Sequence, residues 1–161
     1  MPALHLLIEG AYRGDSARAG WTHEADLLGG QRTDKDALAA MIADPDQLLL
    51  IAEGGGRTVG CVSLRRLPDG RAYLGLLTVD PTRQAGGLGR AILAASEDEA
   101  RSWGAPAIEL TVIHRRAELI AWYERRGYAL TGERRPFPLE DARFGLPRTR
   151  DLAFVVLEKP L

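Results

Sequence analysis

Residues 76–90 read LLTVDPTRQAGGLGR, and this stretch decides the fold. An apolar strand-like run ends at Asp80-Pro81, three glycines follow within four positions, and helical spacing of apolar residues begins at Leu88. Glycines allow positive φ and close approach of a ligand to the backbone, and the amide groups at a helix N-terminus attract anions. The stretch therefore predicts a strand, a tight turn and a helix, in which the turn either binds a phosphate or only connects the two elements. A P-loop and a Rossmann fingerprint are both excluded, because neither Gly-Lys-Ser/Thr nor an initial G-x-G-x-x-G is present.

The chain before this stretch predicts two helices and three strands. Apolar residues after Pro2 recur at helical spacing as far as Tyr12, and Thr33 with Asp36 resembles the capping box of a second helix that ends at Asp44-Pro45. Strand-forming residues separated by Gly-rich and Pro-Asp-Gly turns then predict an antiparallel meander of residues 48–52, 58–64 and 71–79. Residues 13–32 are polar and rich in glycine, which predicts a loop or a broken helix.

The chain after this stretch alternates strand and helix. Apolar alternation predicts a strand at residues 108–112, a helix follows at residues 116–126 with Gly127 as its C-cap, and strands are expected at residues 128–131 and 152–157. The proline-rich segment between them, residues 134–148, is long for a structureless loop and is therefore expected to be functional. The sequence thus predicts a mixed α/β domain.

Composition limits the function classes. A length of 161 residues fits one domain, residues 1–161, and a net charge of -1 argues against general nucleic-acid binding. The longest apolar runs are too short to cross a membrane and the N-terminus lacks an export signal, so we expect a soluble, cytoplasmic protein. Cys61 is the only cysteine and the three histidines are scattered, which predicts no disulfide and no metal site.

Two motifs in order resemble the GCN5-related N-acetyltransferase (GNAT) family. Residues 84–89, QAGGLG, match the pattern Q/R-x-x-G-x-G/A at every fixed position, and residues 122–128, WYERRGY, look like the family's tyrosine-bearing helix and the strand after it. The order of elements also fits, so the resemblance covers nearly the whole chain. It implies a central mixed, mostly antiparallel, twisted sheet with splayed parallel strands and helices on both faces. It also implies an acetyl-CoA-dependent N-acetyltransferase without a metal.

The resemblance also assigns roles to single residues. It places the diphosphate of coenzyme A on loop amides and the pantetheine arm along the preceding strand, and it makes Tyr123 the acid that protonates the departing thiolate. The residues implied to bind the cofactor are Leu77, Thr78, Val79, Gln84, Ala85, Gly86, Gly87, Leu88, Gly89 and Arg90.

The chain departs from the family pattern at two points. Arg116 stands seven residues before Tyr123, where the family usually has asparagine, so Arg116 is a candidate for an ionic contact with the cofactor. The chain also begins inside the first helix, so we expect either that the family's first strand is absent or that the start site was assigned late. An uncovered sheet edge would favour a homodimer.

The acceptor site is less well defined. Glu109 is the first candidate for the general base because its strand should splay open, with a salt-bridged strand carboxylate as the alternative and Glu24 and His114 as further candidates. Trp21 and Glu24 are predicted to bind the substrate by holding a cation, whereas Arg135 and its neighbours would equally suit an anion. The substrate is therefore left as a primary amine of a small molecule or peptide.

Cys61 lies on an apolar strand, so we expect it in the core and the acetyl group to pass directly to the amine. The alternative is a non-catalytic acyl-CoA-binding regulatory module.

Overall fold

The computed structural model describes residues 1–13 and 24–161. Trp21, predicted to bind the substrate, lies outside these ranges. The helices are α1 (Pro2–Tyr12), α2 (Lys35–Ala43), α3 (Leu88–Ser102) and α4 (Ala117–Glu124). The strands are β1 (Leu28–Gly29), β2 (Gln47–Gly54), β3 (Arg57–Arg66), β4 (Ala72–Val79), β5 (Ala107–Ile113), β6 (Ala129–Pro136), β7 (Leu146–Pro147) and β8 (Ala153–Pro160).

A six-stranded sheet in the order β2-β3-β4-β5-β8-β6 forms the centre of the molecule. Every neighbouring pair is antiparallel except β4 and β5, which run parallel and pair only at Ala72 with Ile108 and at Tyr73 with Glu109. Beyond these two pairs the strands separate. The predicted mixed, mostly antiparallel sheet with splayed parallel strands is therefore confirmed.

A β-bulge bends β4 just before the glycine turn. One residue of β3, Val62, faces two residues of β4, Leu76 and Leu77, and Leu76 has a φ of 54°. A left-handed conformation costs an L-residue about 1–2 kcal/mol, so the surrounding packing has to hold it in place. Leu76 is buried, and its carbonyl accepts a hydrogen bond from the Thr78 hydroxyl at 3.0 Å.

Helices cover both faces of the sheet because side chains alternate along each strand. Val62 and its neighbours on one face join the main core under α3, which includes Ile92, whereas Cys61 on the other face packs with Ile8 of α1 and Leu38 of α2. Cys61 is fully buried, which confirms its predicted place in the core.

The structure differs from the prediction at two element boundaries. The N-cap of α2 is Asp34, whose carboxylate accepts a hydrogen bond from the Ala37 amide, so Thr33 does not cap this helix as predicted. Strand β6 extends to Pro136 because it pairs with β8 across a register shift, which shortens the predicted loop.

At the sheet edge, no strand of the described part of the chain lies beyond β2, and Ile51 there is half exposed. Homodimer formation stays a prediction. Over residues 1–13 and 24–161, no helix has the length and apolar character needed to cross a bilayer.

Candidate active site

The glycine turn joins β4 to α3 and leaves backbone amides open. Residues Pro81–Gly86 form a 3-10 helix in which Asp80 accepts hydrogen bonds from the Thr82 amide and hydroxyl, and Gly87, with a φ of 75°, is the N-cap of α3. No side chain of the described residues caps the first turn of α3. A Cβ atom added at Gly86 or Gly87 would meet nothing within 4 Å. The predicted loop therefore presents a helix N-terminus to open space, which fits the diphosphate of coenzyme A.

A basic groove continues from this turn. Arg90, in the first turn of α3, lines it together with Arg125, Arg126 and Lys159. The acid in the groove, Glu97, already accepts a hydrogen bond from Lys159 at 2.8 Å. The groove therefore adds positive charge beside the loop, where the sequence had singled out Arg90 alone.

A cavity of about 220 Å³ opens where β4 and β5 separate. Its walls include residues 73–77 of β4, residues 110–113 of β5, and the side chains of Tyr12 and Tyr123. The bulge at Leu76 thus lies at the cavity wall. The unpaired parts of β4 and β5 therefore surround a space that a thioester could enter.

Tyr123 lines this cavity. The ring is 5% exposed and packs edge-on against Trp122 and Tyr128, with centroid distances of 5.0 and 5.5 Å. Burial raises the pKa of Tyr123 well above its ordinary value, and Tyr12 adds to the rise. Among the described residues, none makes a hydrogen bond with its hydroxyl. The group is therefore protonated at neutral pH and available as a donor.

Tyr12 is a site residue that the sequence did not reveal. Its hydroxyl donates a hydrogen bond of 2.6 Å to the carbonyl of Leu77, and this bond connects α1 to the bulge in β4. The carbonyl of Leu77, one of the three residues whose backbone is predicted to pair with the pantetheine arm, therefore already has a partner within the protein. Thr78 and Val79 pair with Cys61 and Gly60 of β3. In the sequence Tyr12 showed only an apolar helical spacing, typical of a core residue.

Glu109 lies at the last paired position before the strands separate. Its carboxylate is 2% exposed and accepts hydrogen bonds from Arg71 at 2.8 Å and from Arg135 at 3.0 Å, one on each oxygen. Arg71 also bonds Glu158 of β8 at 2.6 Å. The arrangement is that of the salt-bridged strand carboxylate, and it fastens β5 to its neighbours. A role of Glu109 as base stays a prediction and would require an ion pair to open.

Glu24 lies in the cavity wall among arginines, with 12% of its side chain exposed. Arg13 donates to its carboxylate at 2.7 Å, and Arg116 lies 3.6 Å from its other oxygen. Burial by itself would raise the pKa of this carboxyl, but the guanidinium groups of Arg32, Arg116 and Arg13 outweigh it and hold the pKa below its ordinary value. The charge of Glu24 is thus already matched within the protein, which leaves it poorly suited to hold a substrate cation.

The remaining site residues predicted from the sequence are Arg116, His114 and Gln84. Arg116 is 9% exposed and lines the cavity, so it lies close to the predicted cofactor path. His114 has its Nδ1 atom 3.2 Å from both the amide and the carbonyl of Ala153. The side chain of Gln84 is not among the described groups. Within the described ranges, no cluster of three or more His, Cys, Asp or Glu side chains could hold a metal ion.

Comparison with known proteins identifies the family. Residues 13–128 match the model of the acetyltransferase (GNAT) family. An IAA acetyltransferase from Azospirillum brasilense is 33% identical over 121 residues, which are 74% of this chain and 72% of that protein. A mycothiol acetyltransferase from Clavibacter michiganensis is 37% identical over 93 residues, 58% of this chain but only 30% of that protein.

The fold has close neighbours among solved structures. An IAA acetyltransferase from Bacillus cereus superposes with a TM-score of 0.67 over 80% of this chain and 85% of that one, at 15% sequence identity. The chain belongs to the GNAT acetyltransferase family and is an acetyl-CoA-dependent acetyltransferase.

Proposed function

We propose that this protein transfers an acetyl group directly from acetyl-CoA to a primary amine of a small molecule or peptide, within a ternary complex. The observation that carries the proposal is the presence of Tyr123 in the wall of the cavity between the splayed strands. The open turn at Gly86 and Gly87 and the neighbouring basic groove support a donor bound by its phosphates.

The chemistry places two demands on the protein. Acetyl-CoA supplies a thioester: the amine nitrogen bonds to the acyl carbon, the carbon–sulfur bond breaks, the thiolate takes up a proton and the amine nitrogen loses one. Tyr123 is protonated and lines the cavity, so it can donate its proton to the departing sulfur. An amine with a pKa of ~10.4 is only about 0.04% neutral at pH 7, so its proton must also be removed, by a base or by water.

The state of Cys61 supports direct transfer. Burial raises the pKa of this thiol to about 11, and the side chain lies on the sheet face covered by α1 and α2. A thiolate is the reactive form of cysteine, and little of it is present near pH 7. A covalent acetyl-cysteine route is therefore disfavoured.

The test is a Tyr123→Phe variant assayed by release of free coenzyme A across a panel of amines. General acid catalysis contributes roughly a hundredfold or more, so we expect kcat to fall by about that factor while KM for acetyl-CoA is unchanged. Thermal stability should also be unchanged, because the Tyr123 hydroxyl has no hydrogen-bond partner among the described residues. Initial-velocity plots should intersect, as a ternary complex requires.

Tyr128→Phe is the matched control. Its ring lies beside that of Tyr123, but its hydroxyl donates to Glu97 at 3.1 Å. We expect this variant to lose stability and to keep its kcat. A Tyr123→Phe enzyme with normal kcat, or parallel initial-velocity lines, would contradict the proposed mechanism.

A further inference from the structure

The cavity at Tyr123 opens into a second, wider depression on the same face of the sheet. This acceptor groove has a volume of about 650 Å³ and shares seven wall residues with the cavity: Arg32, Tyr73, Gly75, Leu76, Thr111, Phe144 and Phe154. The groove therefore adjoins the cavity that Tyr123 lines. The glycine turn, residues 81–87, lines neither space.

Arg32 lies at the junction of the cavity and the groove. Its guanidinium carbon is 5.2 Å from the centroid of the Tyr12 ring. The segment is held in place because Glu9 accepts hydrogen bonds from the Arg32 and Thr33 amides, at 2.7 and 2.8 Å. Within the described part of the chain, no carboxylate forms an ion pair with the Arg32 side chain. Arg32 acts on Glu24 through space, but Arg13 and Arg116 lie against the same carboxylate, so three guanidinium groups face one acid and leave positive charge at the cavity.

The carboxylates nearby are already neutralised. Glu24, in the cavity wall, is bonded to Arg13, whose side chain is only 6% exposed. Glu109, in the groove wall, is held by Arg71 and Arg135. The described side chains that line the cavity and the groove thus carry an excess of positive charge.

Apolar side chains form most of the remaining wall of the groove. They come from α2, from the turn after β3, from strands β4, β6 and β8 and from the segment after β6, and they are Met41, Leu67, Leu76, Phe154, Pro136, Pro138 and Phe144. Burying an apolar group against such a wall is favourable at about 25 cal/mol per Å². The site therefore suits a molecule with an apolar body and an anionic group.

We infer that the acceptor is an amine whose apolar or aromatic body carries a carboxylate, and that Arg32 binds this carboxylate. The inference rests on the proposed amine acetylation and adds the chemical class of the acceptor. Guanidinium and carboxylate form paired charge-assisted hydrogen bonds, which both strengthen and orient binding. Arg32 is a specificity residue in this account and takes no part in the bond changes.

The experiment compares two amines that differ only in the carboxylate. Phenylalanine and 2-phenylethylamine share an aromatic body and a primary amine. We expect kcat/KM for phenylalanine to exceed that for 2-phenylethylamine by about ten- to a hundredfold, the range of a charge-assisted hydrogen-bond pair. Arg32→Gln should remove this preference by lowering kcat/KM for phenylalanine alone, and Arg32→Lys should restore part of it.

Arg101→Gln is the control for loss of one arginine, because Arg101 bonds Asp98 on the outer side of α3 and lines neither space. This variant should keep the wild-type preference. Equal use of the two amines by the wild type, or an unchanged preference in Arg32→Gln, would overturn the inference while leaving the proposed function intact.

A binding measurement keeps the two proposals separate. Calorimetry in the presence of coenzyme A should show N-acetylphenylalanine binding more tightly than N-acetyl-2-phenylethylamine to the wild type, and equally to Arg32→Gln. If neither amine is acetylated, the proposed function fails for this class. The binding comparison then still decides the role of Arg32, and equal affinities in the wild type would overturn it.

Discussion

The glycine turn makes a quantitative prediction at Gly87. This residue is the N-cap of α3, has a φ of 75°, and a Cβ atom added to it would meet nothing within 4 Å. A substitution there therefore introduces no steric clash, and its cost is the left-handed backbone, about 1 kcal/mol for most residues and less for asparagine or aspartate. For a chain of this length, 1 kcal/mol lowers Tm by about 2–4 °C.

Gly87→Asp adds a negative charge next to the predicted diphosphate site. A pair of unit charges 4 Å apart interacts by about 1 kcal/mol in water, so repulsion from two phosphate charges amounts to about 2 kcal/mol, or roughly thirtyfold in Kd. The same charge is favourable for the N-terminus of α3, which offsets part of the backbone cost. We therefore expect weak acetyl-CoA binding by a protein of nearly normal stability.

Gly87→Asn separates charge from shape, because asparagine has almost the same size and no charge. Isothermal titration with acetyl-CoA should show a Kd within about threefold of wild type for Gly87→Asn and the full loss for Gly87→Asp. The difference should shrink between 0.1 M and 1 M salt, as the Debye length falls from about 10 Å to about 3 Å. Equal Kd values for the two variants would refute the placement of the diphosphate at this turn.

Two further predictions concern the core. Gly60→Ala would place a Cβ atom 2.4 Å from Ile92 Cδ1 and 2.9 Å from the Thr78 carbonyl oxygen. We therefore expect urea denaturation to show a loss of about 1–3 kcal/mol in the free energy of unfolding. An unchanged denaturation midpoint would show that α3 does not pack on β3 at this position. Cys61 should resist thiol reagents in the native protein below about pH 10, since its pKa is about 11 and the side chain is buried, and Cys61→Ala should keep transferring acetyl groups. Rapid labelling at pH 8, or a folded but inactive alanine variant, would contradict the assignment of Cys61 to the core.

Most of the fold was predictable because turn residues and the spacing of apolar residues mark the elements within short stretches of sequence. The Gly54-Gly55-Gly56 and Pro68-Asp69-Gly70 turns delimit the meander, and the spacing from Leu88 onward marks α3. The extension of β6 was not predictable, because it depends on pairing with β8 across a register shift at Leu130 and Arg134. Long-range pairing of this kind leaves no pattern in a short window.

The parts of the site that depend on backbone geometry were predictable from the sequence. The parts that depend on ion pairs between distant residues were not. The glycine pattern located the turn, and the helix after β5 located Tyr123 in the cavity. The partners of Glu24 could not be foreseen, because Arg13 and Arg116 reach it only in the folded chain. The Tyr12 bond to Leu77 was hidden for the same reason, since it joins residues 65 positions apart.

The short parallel contact between β4 and β5 limits how far the thermal stability of this protein can be raised without loss of activity. Two residue pairs, the ion pairs of Arg71 with Glu109 and Glu158, and a hydrogen bond between Tyr73 and Thr111 join the two halves of the sheet along that line, and the reaction space begins immediately beyond it. Further backbone hydrogen bonds between β4 and β5 would strengthen this junction and would fill that space at the same time. Substitutions meant to raise thermal stability should therefore be made elsewhere, because a more stable junction between β4 and β5 would lower catalytic activity.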